Sequence, residues 1–214
     1  MPWTSSTNII PIPTGLANVL SIDWDPQEIV ASTTDTYTGQ QQTFDWQASY
    51  WAGTLSFPPM HRLDGDAWAS FILSLRGPLN AFLFGDPKAA TPKGSPAGSP
   101  VVSGAGQGVF GTGVNLYQVV TRGWPASQSN LLQTGDYISI FPRLYRVTAP
   151  VSSDASGNAT ISIWPNLRDA PADGTTIQTS GCQGLFRLVQ AKGNSFSTSL
   201  KGYGLTGIKI REAI

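Results

Sequence analysis

The stretch that decides the fold is Tyr50–Pro87, which reads YWAGTLSFPPMHRLDGDAWASFILSLRGPLNAFLFGDP. It begins with Tyr50–Phe57, where large apolar side chains alternate with small or polar ones, as on a strand with one buried face. Pro58 and Pro59 lack the N–H group that a sheet ladder needs, so we expect them to end this strand. Near the other end of the stretch, Ala81–Phe84 is typical of a buried strand.

Between these two strands lies the one part of the chain with convincing helical periodicity. Its apolar stripe has the spacing i, i+3, i+4, i+7 and consists of Trp68, Phe71, Ile72 and Leu75. We expect Asp64 or Asp66 to cap the first turn, because a carboxylate accepts hydrogen bonds from the unpaired amide groups there. Arg76 is expected in the last turn, and Gly77 is placed to stop the helix.

The rest of the chain shows short alternating runs separated by turn residues, which predicts a mainly β protein. Gly85–Gly113 contains eight Gly and four Pro with few large apolar residues, which is typical of a linker or a long ordered loop. The short strands after it predict a small β-barrel or sandwich. The further candidate strands are Gln27–Thr33, Thr43–Ala48, Leu116–Thr121, Tyr137–Ile140, Leu144–Thr148, Ala159–Trp164, Thr176–Thr179, Leu185–Leu188, Phe196–Leu200 and Leu205–Glu212.

The charges of the chain are few and unevenly distributed. Its 214 residues include 13 basic and 13 acidic side chains, and this zero net charge argues against a protein whose main task is to grip nucleic acid. No Lys or Arg occurs before Arg62, so the first 60 residues carry a charge of −5 and the remainder +5 (13 basic minus 8 acidic). Chance in a weakly charged chain explains this asymmetry. Head-to-tail assembly, in which an acidic face meets a basic face of the next copy, explains it equally well.

The sequence predicts neither secretion nor membrane insertion. The start of the chain lacks the cationic segment of a secretory signal, and prolines and polar residues interrupt the apolar run Ile9–Ile22. Cys182 is the only cysteine, so a disulfide within the chain is excluded, and we interpret Cys182 as an incidental residue.

No set of residues predicts catalysis, a cofactor or a metal site. His61 is the only histidine, and a catalytic triad or a zinc site needs partners that the sequence does not supply. The glycines at 106, 108 and 111 match a dinucleotide-binding spacing, yet a strand follows them where that motif requires a helix. The pairs Asp23/Asp25 and Asp64/Asp66 do not continue into a calcium loop. We therefore expect a protein that is not an enzyme.

Five of the seven tryptophans lie in the first 68 residues, and they divide into two groups. Trp46, Trp51 and Trp68 fit core positions by their period. Trp3 and Trp24 belong to an irregular, proline-bearing arm, where an exposed aromatic ring serves as an interface anchor or stacks on a sugar. The candidate interface residues of this arm are Trp3, Ile9, Ile10, Ile12 and Trp24.

Tyr50–Pro87 also carries a resemblance to a known family. The strand, the FPP turn, the helix with LSLRG and the FLFGDP run together resemble the distal tail proteins of tailed bacteriophages. In that family a Gly/Pro-rich link and a second β domain follow. The later parts of the resemblance are GDYISI at Gly135–Ile140, LYRV at Leu144–Val147, SDASGNATISIWPNLR at Ser153–Arg168 and PADG at Pro171–Gly174.

This resemblance implies a domain organisation and a role. Residues 1–87, completed by 190–214, would form a ring-forming β domain, 88–113 would be a linker, and 114–189 an inserted small β-barrel domain. The expected product is a homo-oligomeric ring, a homohexamer, that joins the tail tube protein to the tip hub and fibre proteins. It would be assembled in the host cytoplasm and found in the virion. The alternative is a module that binds polysaccharide on a host surface through Trp124 and Trp164.

Overall fold

The computed structural model describes residues 8–13, 19, 21–109, 115–189, 196–199, 202–205 and 207–213. The fold is mainly β, with 38% strand and 9% helix, and one of its sheets is curled into a half-barrel, which confirms the predicted fold class. Among the described residues there is one α-helix, α1 (Arg62–Leu75). The strands are β1 (Ser21–Gln27), β2 (Val30–Thr34), β3 (Gln41–Asp45), β4 (Tyr50–Ser56), β5 (Phe82–Phe84), β6 (Val101–Val102), β7 (Gln118–Arg122), β8 (Tyr137–Ile140), β9 (Arg143–Val147), β10 (Asn158–Trp164), β11 (Gly184–Leu188), β12 (Phe196–Ser199), β13 (Gly202–Leu205) and β14 (Ile208–Glu212).

The chain divides into two compact units. The first consists of Met1–Pro26, Trp51–Asp86 and Gln183–Ile214, and the second of Gln27–Tyr50 and Pro87–Cys182. The first unit holds the five-stranded sheet β1-β4-β14-β11-β5, so the C-terminal strand lies at its centre. The second unit holds the sheet β6-β7-β10-β9-β8 and the separate two-stranded sheet β2-β3.

The core of the first unit is aromatic. The predicted stripe of α1 is buried throughout, as expected from its spacing. The Trp68 ring meets Phe57 at 4.7 Å between centroids, and Phe71 meets Phe82 at 5.5 Å. Both pairs have the edge-to-face geometry that aromatic quadrupoles favour, so they tie the helix to the strands around it.

The ends of α1 differ in part from the prediction. The helix begins at Arg62 after His61, whose side chain makes no capping hydrogen bond, and this start places Asp64 inside the first turn. Asp66 forms a 3.5 Å ion pair with Arg62, so the expectation that one of these aspartates caps the helix is wrong. At the other end Arg76 adopts the left-handed conformation, and its N–H donates to the Leu73 carbonyl at 3.1 Å.

Trp24 lies in a regular strand, which corrects its assignment to an irregular arm. It belongs to β1, and its half-buried ring lies 4.9 Å from that of Trp51. It also approaches Phe186 at 5.8 Å and Phe84 at 6.3 Å. Since Trp24 is on one edge strand of the sheet and Phe84 is on the other, the sheet is strongly curled around this ring.

The described part of the N-terminal arm pairs with its own unit. Ile9 forms a parallel bridge with Ala81, the Ile10 N–H donates to the Ala81 carbonyl at 2.8 Å, and the Ala81 N–H donates to Asn8 at 3.1 Å. Ile10 and Ile12 are half-buried, and Ile9 is exposed. Two of the candidate interface residues, Ile10 and Ile12, are thus partly buried within a single chain, and Trp3 lies outside the described residues.

The second unit is built around an aliphatic core, and the Gly/Pro-rich segment is part of it. Strand β6, within the predicted linker 88–113, pairs with β7. The buried carboxylate of Asp136 accepts hydrogen bonds from the backbone N–H groups of Lys93 at 2.8 Å and Gly94 at 3.1 Å. The described part of this segment is thus an ordered loop. The core includes Val102, Val119, Leu131, Ile138, Ile161 and Ile163.

Two other boundaries differ from those expected. Strand β11 pairs with β14 and β5 and so belongs to the first unit, although the sequence placed it in the domain 114–189. The hairpin β2-β3 belongs to the second unit, although it was expected in 1–87. The segment Thr176–Thr179 forms isolated bridges at Thr176 and Gln178 in place of a strand.

Candidate assembly surface

The hairpin β2-β3 is the most unusual surface of the second unit. Its strands pair with each other in antiparallel register, from Val30 opposite Asp45 to Thr34 opposite Gln41, and form a sheet of their own. All ten strand residues are exposed. A two-stranded sheet is marginally stable in water without further strands or a packed face, so this hairpin lacks the burial that normally holds such an element.

The turn of the hairpin is built by side-chain and backbone hydrogen bonds. The Asp35 carboxylate accepts from the N–H groups of Tyr37 at 2.7 Å and Thr38 at 3.4 Å, and these bonds lower the pKa of Asp35. Gly39 has a φ of +69°, which favours glycine, and its N–H donates to the Asp35 carbonyl at 2.9 Å. The side chain of Tyr37 at the tip is 99% exposed.

The two faces of the hairpin differ in chemistry. Cross-strand partners share a face, so Ala31 lies beside Phe44. Trp46 donates its N–H to the Ile29 carbonyl at 3.2 Å and lies beside Ile29 on the same face. The rings of Phe44 and Trp46 meet edge to face at 4.9 Å, and each side chain is 58% exposed. We call the set Ile29, Ala31, Phe44 and Trp46 the apolar hairpin face.

Trp46 was expected in the core from its period, and that expectation is wrong. It alternates with Phe44 as a core residue would, yet the described residues place no second layer over this face. An exposed aromatic pair flanked by aliphatic side chains is characteristic of a surface that another molecule covers.

The charged side chains of the hairpin segment are all acidic. The segment Gln27–Tyr50 contains Glu28, Asp35 and Asp45 and no Lys, Arg or His, so it contributes −3 of the −5 carried by the first 60 residues. Asp45 is adjacent in sequence to both aromatic residues of the apolar hairpin face. Asp45 is the cross-strand partner of Val30, so its side chain lies on the face opposite to Phe44 and Trp46, and the hairpin carries its apolar pair and this carboxylate on different faces.

A buried polar network holds the base of the hairpin to the second unit. The Ser49 hydroxyl donates to Asn166 Oδ1 at 2.6 Å, and the Ser49 N–H donates to the same atom at 3.1 Å. In return the Asn166 N–H donates to the Ser49 hydroxyl at 2.9 Å, and Asn166 Nδ2 donates to the Gln47 carbonyl at 2.7 Å. The Trp164 indole N–H donates to Glu28 Oε1 at 2.6 Å. These bonds position the hairpin at its base, while its faces stay exposed.

Tyr117 packs against the same base. Burial raises the pKa of the Tyr117 phenol above its ordinary value of 10.0, and the nearby Asp45 carboxylate raises it further. The phenol is therefore neutral at physiological pH and adds no charge to the base of the hairpin.

We expect the substitution Asn166→Ala to lower the free energy of unfolding by about 2–3 kcal/mol, because it leaves the buried N–H and hydroxyl of Ser49 without their partner. Denaturant titration of the purified variant measures this change. Asn158→Ala, at the half-buried first residue of β10, whose side chain bonds to the exposed Asp154, serves as the control and should cost much less. An Asn166→Ala variant as stable as the wild type would show that the network does not hold the hairpin.

The sequence-predicted interface residues do not form one cluster. Ile9 and Ile10 lie along Ala81 beside β5, Ile12 is half-buried, and Trp24 packs inside the curled sheet of the first unit. The hairpin residues Ile29 and Phe44 were not singled out from the sequence. The signal that could have found them is the cation-free run from Gln27 to Tyr50, in which Phe44 and Trp46 alternate with polar residues.

The two tryptophans proposed for sugar binding expose little ring surface on which a sugar could stack. Trp124 is buried, and its indole N–H donates to the Thr121 hydroxyl at 2.7 Å. Trp164 is half-buried and bound to Glu28. A sugar stacks on an open aromatic face, so Trp124 cannot supply one.

The described ranges contain no group of three or more His, Cys, Asp or Glu side chains that could hold a metal ion. Burial raises the pKa of the Cys182 thiol to about 11, and its Sγ donates to the Tyr137 or the Gln178 carbonyl, each at 3.2 Å. Such a thiol is almost entirely protonated at neutral pH and is a poor nucleophile. In the part of the chain that the structure describes, no helix has the length and apolar character that a bilayer crossing requires.

No protein-family model matches the chain, and no curated protein matches its sequence.

Proposed function

We propose that the chain is a structural subunit of a bacteriophage tail tip, of the distal tail protein kind. In this proposal identical copies form a closed ring, a homohexamer, that joins the tail tube to the tip hub and fibres. The role involves packing between subunits and no catalysis. It places the protein in the virion after assembly in the host cytoplasm.

The observation that carries the proposal is the exposed apolar hairpin face. Phe44 and Trp46 are each more than half exposed on a sheet of only two strands, and the hairpin is fixed at its base by Asn166. A single copy in water would present this adhesive patch to any other surface. In a ring each copy covers the patch of its neighbour, and closure leaves none uncovered.

Two further features support a structural role. The runs from Tyr50 to Pro87 and from Gly135 to Gly174 resemble distal tail proteins, and the chain has the mainly β, two-unit organisation that the resemblance implies. Only 12% of the residues are charged, which suits a subunit whose surface is largely in contact with others. The polysaccharide-binding alternative is weaker, because Trp124 is buried.

The location of the chain in assembled particles tests this role. A copy carrying a short peptide tag should be incorporated into phage tails, and gold-labelled antibody against the tag should bind at the end of the tail distal to the capsid. Label on the capsid, along the whole tail tube, or on no particle would contradict the proposal. Tagging at more than one exposed loop, such as the one at residues 154–156, guards against loss of incorporation caused by the tag itself.

A further inference from the structure

The second unit contains a cavity of about 210 Å³ beside the turn that joins β8 to β9. Most of its walls are apolar and include the buried side chains of Tyr145 and Leu167. Phe141, in the turn itself, also lines the cavity, and its side chain is 68% exposed. Pockets for drug-sized ligands typically enclose ~300–1,000 Å³, so this smaller cavity suits a ligand the size of a single ring.

One ion pair supplies the charged groups of this cavity. Arg143 Nε donates to Asp169 Oδ2 at 2.9 Å, and the side chain of Arg143 is 7% exposed whereas that of Asp169 is 58% exposed. In the part of the chain that the structure describes, the other carboxylate oxygen, Oδ1 of Asp169, accepts no hydrogen bond. The buried arginine therefore fixes a carboxylate that still has one oxygen available to a ligand.

The loop that carries Asp169 is itself held to the neighbouring strands. The Val102 N–H of β6 donates to the Thr175 carbonyl at 2.9 Å. The Asp173 carboxylate accepts from Arg122 Nη1 of β7 at 2.7 Å. These bonds keep both walls of the cavity in place before a ligand arrives, and a preformed site binds without the cost of ordering a loop.

The chemistry of these groups indicates a neutral ring with several hydroxyl groups. The ion pair has no net charge, so neither a cation nor an anion is attracted to it without being repelled by one of its members. A purely apolar ring would cover Oδ1 of Asp169 without giving it a donor, which lowers affinity. Hydroxyl groups supply that donor, and a sugar ring also has an apolar C–H face that can pack on the exposed ring of Phe141.

We propose that this cavity binds one sugar ring, with Oδ1 of Asp169 accepting hydrogen bonds from its hydroxyl groups and Phe141 packing against its C–H face. The site is separate from Trp124 and Trp164, neither of which lines the cavity. The inference goes beyond the subunit contacts of the proposed function and does not depend on them, because every residue of the site belongs to the second unit of one chain.

Saturation-transfer difference NMR tests the site with the full chain and a panel of neutral sugars: glucose, galactose, rhamnose and N-acetylglucosamine. At least one of them should receive saturation from the protein. Asp169→Asn removes the charged acceptor and Phe141→Ser removes the aromatic ring, so each should weaken the binding of that sugar roughly tenfold. Asp154→Asn and Tyr37→Ser make the same kinds of change at exposed residues outside the cavity, and both should bind as the wild type does.

Dissociation constants come from the dependence of the transfer on sugar concentration, and circular dichroism confirms that each variant is folded. Absence of transfer to every sugar of the panel would overturn the proposal. Binding at wild-type strength in either Asp169→Asn or Phe141→Ser would also overturn it, because the sugar would then lie elsewhere. Equal weakening in the Tyr37→Ser control would lead to the same conclusion.

Discussion

Trp68→Ala is expected to lower the free energy of unfolding of the first unit by about 3–5 kcal/mol, because the variant loses the transfer free energy of the indole and leaves a cavity behind. Trp68 is 3% exposed and contacts both Phe57, at 4.7 Å, and Phe71, at 5.7 Å. Few neighbours can move into the vacated space, since Phe71 is itself held against Phe82. Denaturant titration followed by near-ultraviolet circular dichroism measures the loss.

The same helix supplies the control for this measurement. Leu73 lies on the opposite side of α1 and is 66% exposed, so Leu73→Ala should change stability by no more than about 0.5 kcal/mol. Equal stability of Trp68→Ala and the wild type would show that the helix packs with another face. A large loss in Leu73→Ala would lead to the same conclusion.

The double substitution Phe44→Ser with Trp46→Ser is expected to separate the assembly into monomers. Buried aromatic residues at the centre of an interface typically contribute ~2 kcal/mol or more each, so their joint loss weakens a subunit contact by roughly a thousandfold. The fold itself should be preserved, because both side chains are more than half exposed in the single chain. Light scattering coupled to size-exclusion chromatography measures the mass of the variant.

A variant on the other face of the hairpin provides the comparison. Ser32 and Thr43 are cross-strand partners on the face opposite the aromatic pair, so Ser32→Ala with Thr43→Ala should assemble as the wild type does. Loss of assembly in both double variants would indicate that the hairpin as a whole is disturbed. Assembly of the Phe44/Trp46 variant at wild-type strength would exclude the apolar hairpin face from the contact.

The sequence predicted best those elements whose burial follows a local period. The stripe from Trp68 to Leu75 and the alternation of Tyr50–Phe57 both report which face is buried, and the structure agrees at each position. The observed start of α1 differs from the expected one because Asp64 and Asp66 suit a capping position and a position inside the first turn equally well. The local sequence does not distinguish these two roles, since both place a carboxylate near the same amide groups.

The sequence did not predict which strands and side chains contact each other when they are far apart along the chain. Strand Gly184–Leu188 has the composition of any buried strand, and nothing in its period distinguishes the sheet that contains β14 from the one that contains β10. The period of Trp46 indicates that its side chain shares a face with Phe44, but not whether a second layer covers that face. The bond between Asn166 and Ser49 joins residues 117 positions apart and leaves no local signal.

The central claim is that identical copies associate, and the mass of the wild-type chain in solution tests it most directly. Sedimentation velocity over a wide concentration range should show one discrete species whose mass is a multiple of 22.7 kDa, six times that value for the proposed hexamer. The species should be replaced by the monomer in the Phe44/Trp46 variant. A wild-type chain that sediments as a 22.7 kDa monomer at every concentration would contradict the account.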